Sequence, residues 1–321
     1  MITRRFLMAF AAVLAFAVPA FADGKLKVVG TFSILTDFVA NVGGDRVEVI
    51  GLVGPDGDAH VYQPSPADAQ AVAGAAVIVV NGMGFEGWMD RLVEASGTKA
   101  TLVTASDGVT PIAFGTPEHG EDHAEEEGHD HDQAKEEKGH VRYDHGTFDP
   151  HAWQSVPNVQ IYVSNIAAAL TKADPEGEAV YTENATAYLA ELGALDTEIR
   201  AALVALPQDR RTIVTSHDAF GYFEATYGLS FVAPQGASTE AEASAKDVAA
   251  LITQIKDANI SAVFVESIVD PRLLDQIAAE TGATVGGTLY SDALSAADGP
   301  AATYLAMMRH NLAQLTAALI N

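Results

Sequence analysis

Short apolar runs alternate with amphipathic stretches along most of the chain, and this alternation restricts the possible folds more than any other feature. In the first half, the predicted strands are "LKVVGTF" and "RVEVIGLV", and the predicted helix between them is "SILTDFVANVGG", which ends in two glycines. In the second half, the predicted strands include "RTIVTSH", "ISAVFVES" and "TVGGTLY", again with helical stretches between them. Strands that alternate with helices predict a mostly parallel sheet with helices on both faces. The sequence therefore predicts an α/β protein.

A long helical stripe separates the two halves of this pattern. Leucine and isoleucine recur every three or four residues up to Leu206, and Asp174 and Pro175 are typical of a helix cap and a first helical residue. A helix from Pro175 to Leu206 would be roughly 48 Å long at about 1.5 Å per residue, too long for one small domain. We therefore predict two similar domains bridged by one long rigid helix. The predicted boundaries are residues 23–173 for the N-terminal domain, 174–207 for the helix and 208–321 for the C-terminal domain.

The amino terminus has the pattern of a secretory signal peptide over residues 1–22. Arg4 and Arg5 precede the apolar run "FLMAFAAVLAFAV", and the small-residue sequence "AFA" follows it. A basic end, a short apolar core and small residues at the cut together predict export, with cleavage after Ala22. The alternative is a membrane anchor, which the break at Pro19 disfavours. Since the chain has no cysteine to carry a lipid, we expect an unlipidated protein of a bacterial periplasm.

The chain is strongly acidic, with a formal net charge of −25 at pH 7. Nucleic acid and anionic membrane surfaces would be repelled by this charge, which argues against both as partners. A cationic ligand suits the charge better. No stretch of the sequence indicates a surface for self-association, so we expect a monomer.

Between about residues 116 and 146 the apolar pattern stops, and a charged, histidine-rich stretch replaces it. Burial cannot offset the entropy of ordering so polar a segment, and we predict a mobile insertion. Exchanging histidines and carboxylates can bind zinc loosely, either as an antenna that raises the local zinc concentration or as a docking tract for a donor. The alternative is a solvated linker of biased composition. The histidines of this accessory loop are His119, His123, His129, His131, His140 and His145.

Three isolated histidines and one aspartate lie outside that stretch, at positions where loops are predicted. His60 follows the second strand, and His151 lies in "DPHAW", where the apolar pattern returns. His217 ends the strand "RTIVTSH", and Asp292 lies just past the strand "TVGGTLY". Ligands of open α/β sheets gather at the carboxyl ends of the strands, so these side chains are candidates for one shared site, and their donor set suits Zn²⁺. Taken singly, each histidine is also compatible with a surface position, and Asp292 with a helix cap.

The sequence also resembles a known family over essentially the whole mature chain. The motifs that carry the resemblance are "GPDGDAHVYQPSPAD", "DPHAW", "TSHDAFGYF", "STEAEASAKD", "FVESIVDPRL" and "LYSDALS". They are similar to motifs of the cluster A-I substrate-binding proteins, the zinc- and manganese-binding components of bacterial ABC importers. The resemblance implies a metal shell of His60, His151, His217 and Asp292 in the cleft between the two domains. Members with histidine at the third position resemble zinc binders and those with glutamate resemble manganese binders, so His217 implies zinc.

The same resemblance implies a function. The chain would be a periplasmic protein that binds Zn²⁺ with high affinity, is not an enzyme, and delivers the zinc to an ABC-type permease in the inner membrane. A periplasmic zinc metallochaperone would be a second partner. The alternative within the family is a manganese or iron binder. Two other classes stay open from the residues alone: a zinc hydrolase, which the lack of an H-E-x-x-H motif and the four candidate ligands disfavour, and a metal-binding adhesin, which the lack of a lipidation cysteine disfavours.

Glu266, at the end of the strand within "ISAVFVES", has two interpretations. As an acceptor it would orient a ligand histidine through the free N–H of the imidazole ring. As a cap it would instead begin the following helix. The sequence alone does not choose between these two roles.

Overall fold

The computed structural model describes residues 24–113, 148–240, 243–258, 260 and 262–320. Within these residues the chain forms two four-stranded sheets, and every strand pair in both sheets is parallel. The prediction of an α/β protein with two similar parallel-sheet domains is confirmed. The predicted signal peptide lies outside the described residues.

The N-terminal domain has the strand order β2-β1-β3-β4. Its strands are β1 (Leu26–Phe32), β2 (Val47–Val53), β3 (Val77–Val80) and β4 (Thr101–Thr104). Its helices are α1 (Ser33–Gly43), α2 (Pro66–Gly74), α3 (Met89–Ser96) and α4 (Val156–Ala173). The start of α2 is fixed by residues next to it in the sequence. The Ser65 hydroxyl accepts from the backbone N–H of Asp68, and the Asp68 carboxylate accepts from the backbone N–H of Ser65. Pro66 occupies the first helical position.

The C-terminal domain repeats this arrangement with the strand order β6-β5-β7-β8. Its strands are β5 (Thr212–Val214), β6 (Ser230–Val232), β7 (Ala262–Glu266) and β8 (Thr284–Leu289). Its helices are α6 (Gly221–Tyr227), α7 (Ala245–Asp257), α8 (Arg272–Thr281) and α9 (Tyr304–Ile320). In each sheet the order reverses between the first and third strands of the domain, which is where the loops after the strands leave a crevice for ligands.

The helix α5 (Glu178–Val204) joins the two domains, as the apolar stripe predicts. It packs against α1 and α4 on the N-terminal side and against α6 and α9 on the C-terminal side. Full burial of each leucine or isoleucine contributes about 1.5–3 kcal/mol, so the shared stripe ties both domains to one helix. The helix ends two residues before the predicted Leu206. The buried residues of the stripe are Tyr181, Ala185, Tyr188, Leu192, Leu195, Ile199 and Leu203.

The long helix starts where predicted, with Asp174 at the N-cap position and Pro175 as the first helical residue, but its first turn is tighter than an α-helix. Residues Pro175–Gly177 form a 3-10 turn, and the α-helix begins at Glu178. The carboxylate of Asp174 is engaged elsewhere, because it accepts hydrogen bonds from the guanidinium of Arg46 at 2.9 and 3.0 Å and from the hydroxyl of Tyr181 at 2.7 Å. This bidentate charge-assisted contact ties the start of the helix to the 3-10 turn Gly44–Arg46, which precedes β2.

One hydrophobic core runs through both domains and includes Val28 of β1, Leu195 of α5 and Met307 of α9. A smaller core, which contains Val214 and Ile277, lies between the C-terminal sheet and the helices α7 and α8. Because the main core is continuous, moving the domains apart would expose apolar surface at about 25 cal/mol per Å². The fold therefore resists wide opening of the cleft. Within the described part of the chain, no helix combines the length and the apolar character that a membrane span requires.

Candidate metal centre

The four ligand candidates lie together in the cleft between the two sheets. One donor atom from each of His60, His151, His217 and Asp292 falls within 4.8 Å of all the others. The Nε2 atoms of His60 and His217 each lie 3.1 Å from Oδ2 of Asp292, and the Nε2 atoms of His60 and His151 are 3.3 Å apart. Three imidazole nitrogens and one carboxylate therefore point at a single small volume. The six histidines of the accessory loop lie outside the described residues.

Each ligand candidate comes from a different loop. His60 follows β2, and its backbone N–H donates to the carboxylate of Asp58 at 2.9 Å. His151 lies on the connection that returns to α4, His217 directly follows the end of β5, and Asp292 follows β8. The backbone of His217 also forms a parallel bridge with Gln235. The strand-end loops of both domains thus meet in the cleft, as the parallel topology predicts.

The centre is shielded from water, and one of its oxygens has no protein partner. His151, His217 and Asp292 are fully buried, and the side chain of His60 is 5% exposed. Oδ1 of Asp292 is buried without a hydrogen-bond partner among the described residues, and Nε2 of His151 lies 3.6 Å away from it. Phe85 and Trp153 close the apolar side, with ring centroids 4.7 Å from His60 and 5.3 Å from His151. A buried carboxylate oxygen without a partner indicates a position that a cation completes.

A carboxylate stands behind His151. Oδ1 of Asp149 lies 2.7 Å from Nδ1 of His151 and also accepts the backbone N–H of that histidine at 2.9 Å. A proton held on Nδ1 leaves Nε2 free to face the centre. Sequence reasoning assigned no role to Asp149, although a carboxylate two residues before a candidate ligand was visible in "DPHAW". On the far side of Asp149, a Cβ atom at Gly221 would lie 2.5 Å from Oδ2, so any larger residue there would displace the carboxylate that contacts His151.

Glu266 occupies the corresponding position beside Nδ1 of His217. Its Oε2 lies 2.7 Å from Nδ1 of His217, and its Oε1 accepts the backbone N–H groups of Ser216 and His217 at 2.8 and 2.9 Å. The next helix, α8, begins only at Arg272. The contacts therefore favour the interpretation of Glu266 as an acceptor that orients His217 over its interpretation as a helix cap.

The charges of the site are strongly coupled. Burial lowers the pKa of His151, but the carboxylates of Asp292 and Asp149 outweigh it and raise this pKa to about 9. Burial likewise lowers the pKa of His217, while Glu266 and Asp292 raise it well above its ordinary value. Burial raises the pKa of Asp292, but the two histidines hold it well below its usual range. Without a metal, the ring of His151 is therefore doubly protonated at neutral pH, and a cation that binds its Nε2 has to displace a proton.

Comparison with known proteins shows one family over nearly the whole chain. The sequence profile of the family described as ZnuA, zinc-uptake complex component A, periplasmic, matches residues 28–318. The manganese-binding lipoprotein MntA of Halalkalibacterium halodurans is 33% identical over 291 residues, which cover 90% of this chain and 87% of that protein. The iron ABC transporter substrate-binding lipoprotein MtsA of Streptococcus pyogenes serotype M1 is 32% identical over 301 residues, which cover 92% and 89%.

A solved structure shares the architecture. The periplasmic zinc-binding protein TroA of Treponema pallidum superposes with a TM-score of 0.79 at 29% identity, over 92% of this chain and 99% of that one. The three relatives are thus named for manganese, iron and zinc. The matches extend through both domains and the long helix that joins them.

Proposed function

This chain belongs to the ZnuA family of periplasmic metal-binding proteins, and from that premise we propose that it captures Zn²⁺ and passes it to an ABC-type permease. The observation that carries the proposal is the convergence of His60, His151, His217 and Asp292, whose donor atoms lie within 4.8 Å of one another in a buried cleft. Such a shell holds one divalent cation. The relatives are named as binding proteins and as a substrate-binding component of an ABC transporter, so we assign transport and no catalysis.

The donor set supports zinc over the other metals that the relatives bind. Three imidazole nitrogens and one carboxylate match the four-coordinate N/O shell that Zn²⁺ favours. Manganese prefers shells richer in oxygen. A glutamate in place of His217 would supply such an oxygen, whereas this chain supplies a third nitrogen there. Manganese or iron is the alternative cargo, because relatives with about one third identity are named for those metals.

The proposal also covers the location of the protein and its partners. Export by a signal peptide cleaved after Ala22 would place a monomer of residues 23–321 in the periplasm. The permease would accept the metal there, and a periplasmic metallochaperone would supply it. The domain boundaries at residues 173/174 and 207/208 are part of the same proposal.

Competition between metals tests the proposed cargo. Metal-free protein of residues 23–321 is mixed with equimolar Zn²⁺ and Mn²⁺, and the retained metal is measured after gel filtration, with Fe²⁺ against Zn²⁺ under anaerobic conditions as a second pair. We expect one tightly held zinc per chain and a preference for zinc of at least about 100-fold, because zinc stands above both competitors in the affinity order of N/O sites. Retention of manganese or iron in the presence of equal zinc would refute the assignment. Two or more tight zinc ions that survive loss of His217 would place the site elsewhere.

The number of protein ligands on the zinc distinguishes a binding protein from a hydrolase. A catalytic zinc has three protein ligands and a bound water, whereas a site that only holds its metal has four protein ligands. X-ray absorption of the zinc-loaded protein should show three nitrogen neighbours from histidine and carboxylate oxygen with no water. A water bound directly to the zinc would instead support the hydrolase alternative.

Zinc affinity should depend steeply on pH. Because the pKa of His151 is about 9 and the pKa of His217 is also raised, both rings carry protons at neutral pH that zinc has to displace. The dissociation constant should therefore increase by about one to two log units for each pH unit lost between pH 8 and pH 6. Calorimetry in two buffers with different protonation enthalpies measures the protons released. A dissociation constant that stays flat over this range would contradict the proposed ligands.

The stability of the metal-free protein should change in the opposite direction. The folded-state pKa of His151 lies above its unfolded value of about 6.5, so this group stabilises the metal-free fold below pH 6.5, and that contribution is lost as the pH rises through about 9. The four-ligand centre exists only in the folded state, and its zinc affinity is expected to rise with pH. The increase in melting temperature on zinc addition should thus be larger at pH 8 than at pH 6, as thermal melting with and without excess zinc would show.

The accessory loop should affect the rate of zinc capture more than the affinity of the cleft. Deleting Glu118–His140 leaves all four cleft ligands in place, so the equilibrium affinity should stay within about twofold, as is usual for separate sites. Capture from dilute zinc, or transfer from a donor protein, should become slower in stopped-flow measurements. The control replaces the same residues with a glycine-serine linker of equal length, which separates the effect of composition from that of length. Loss of the tight site on deletion would contradict this role.

A further inference from the structure

The residues that directly follow His151 reach across the domain boundary. Ala152–Gln154 form a 3-10 turn, and within it Nε1 of Trp153 and Nε2 of Gln154 donate to the same backbone acceptor, the carbonyl oxygen of Ser291, at 2.8 and 2.7 Å. Ser291 immediately precedes Asp292 in the loop after β8. One turn therefore carries one ligand of the metal centre and holds the backbone beside another.

This contact is buried and saturated. Trp153, Gln154 and Ser291 are each fully buried, so the two hydrogen bonds form away from water, where breaking one costs more than at the surface. Two donors occupy both lone pairs of the carbonyl oxygen. The turn itself is held in place, because the hydroxyl of Tyr304 donates to the carbonyl of Trp153 at 2.7 Å.

The loop that carries Asp292 is held from two directions. Within the C-terminal domain, Asn311 of α9 pairs with both backbone groups of Tyr290: its Nδ2 donates to the carbonyl at 2.7 Å, and its Oδ1 accepts the N–H at 2.9 Å. From the N-terminal domain, Trp153 and Gln154 hold the next residue. The N-terminal domain also holds Leu294, two residues after Asp292: the Ser33 hydroxyl accepts its backbone N–H at 2.9 Å, and its carbonyl accepts the backbone N–H of Asp56 at 2.8 Å. The contacts of Trp153 and Gln154 differ from these because they come from the turn next to His151 and hold the residue next to Asp292.

The amide of Gln154 has no other polar task among the described residues. Its Oε1 is buried without a hydrogen-bond partner in the part of the chain that the structure describes, and its Nε2 donates to Ser291. An apolar residue of the same size would avoid the cost of that unpaired oxygen. The hydrogen bond that the amide makes among the described residues goes to the backbone next to Asp292, so its contribution acts at the metal centre.

We propose that Gln154, together with Trp153, is a positioning residue for metal binding: it fixes Asp292 at its working distance from His151 across the domain boundary. The inference rests on the proposed function, because it concerns the same centre. The edge of the site between His151 and Asp292 is then arranged before the metal arrives. Less of the binding free energy is consumed in ordering these ligands, and the bound metal leaves more slowly.

The test replaces Gln154 with methionine, which keeps the approximate volume and removes the donor. Zinc affinity of the metal-free variant, measured against a chelator, should fall about 10-fold, which is the lower range for residues that orient ligands, and the loss should come from faster dissociation. Co²⁺ loading should show altered d–d absorption bands, which a purely structural change far from the metal would not cause. A second variant, Trp153→Phe, keeps an aromatic ring and removes the other donor to the Ser291 carbonyl. It should also lose zinc affinity, and it keeps the proposal testable if methionine impairs folding.

A double-mutant cycle separates positioning from general destabilisation. In an Asp292→Ala background, Gln154→Met should have no further effect on zinc affinity, because the residue acts through that carboxylate. In a His60→Ala background the 10-fold effect should persist. Equal losses in both backgrounds, or wild-type affinity of Gln154→Met, would overturn the proposal.

The matched control is Asn165→Leu. Asn165 is also a side-chain amide that donates to backbone carbonyls, those of Ala105 and Asp107 at 2.9 and 2.8 Å, but neither partner is next to a ligand in the chain, as Ser291 is to Asp292. This variant should bind zinc like the wild type, and a matching 10-fold loss would overturn the proposal. Failure of the proposed function has a different signature, because the wild-type protein itself would then hold no tight zinc.

Discussion

Replacing His217 with alanine is expected to weaken zinc binding by more than about 100-fold, beyond the 10- to 100-fold range typical of residues that only orient a ligand. The change removes one of the three imidazole nitrogens of the shell. It also leaves Asp292 and Glu266 facing a cavity, each without the histidine that lies 3.1 and 2.7 Å from it. The affinity is measured by chelator competition on metal-free protein.

The same substitution should destabilise the metal-free protein. Removing one partner from a buried charged pair costs about 3–5 kcal/mol, since the remaining charge has no compensation. The melting temperature should fall accordingly, and Gln can replace Ala if the alanine variant does not fold. His310→Ala is the control: its Nε2 lies 2.9 Å from the carbonyl oxygen of Thr288, in the same domain but outside the site. Unchanged zinc affinity of the His217 variant would mean that the cleft is not the working site.

Replacing Glu266 with glutamine is expected to weaken zinc binding by about 10- to 100-fold. The glutamine oxygen can still accept the two backbone N–H groups of Ser216 and His217, so the amide NH₂ then faces Nδ1 of His217. To avoid two opposed donors, the imidazole moves its proton to Nε2, the nitrogen that must bind the metal. The substitution thus keeps His217 in place but favours the tautomer that cannot bind the metal through Nε2.

Glu86→Gln provides a matched control for this effect. Glu86 is also a buried carboxylate beside the end of a strand, and it accepts from the hydroxyl of Thr31 and from the backbone N–H groups of Asn81 and Gly82. Glutamine there creates the same kind of opposed donors in the N-terminal domain, but Glu86 contacts none of the four ligands. Both variants should lose stability, and only Glu266→Gln should lose zinc affinity. Equal affinity of the two variants would rule out the orienting role.

The fold class followed from local features of the sequence. Apolar residues with a strand period and with a helix period alternate along the chain, and these periods depend on neighbours only a few positions away. The same local reading found the long stripe of α5, because leucines at every third or fourth position face one side of a helix whatever packs against it. These local features do not include the pairing of Asp174 with Arg46, 128 positions earlier.

The positions of the candidate ligands could be predicted from the sequence for a related reason. Loops at the carboxyl ends of parallel strands lie on one edge of a sheet, so a polar residue after a strand can be placed at that edge without knowledge of packing. The family resemblance then selected four of the polar residues and pointed to zinc through His217. The distances between the ligands cannot be predicted from strand ends or from motifs.

Only the tertiary structure decided how the site is assembled. His60 and Asp292 are 232 positions apart and belong to different domains, yet their donor atoms lie 3.1 Å from each other. The carboxylate of Glu266 stands behind His217, and the amide of Gln154 reaches the carbonyl of Ser291, 137 positions later. Such contacts depend on the packing of two sheets around one shared helix, which no local period encodes. The sequence by itself therefore determined the types of secondary-structure element and the kinds of ligand. The packing determined which of these residues meet, because ligand atoms from distant segments are aligned only when the chain folds.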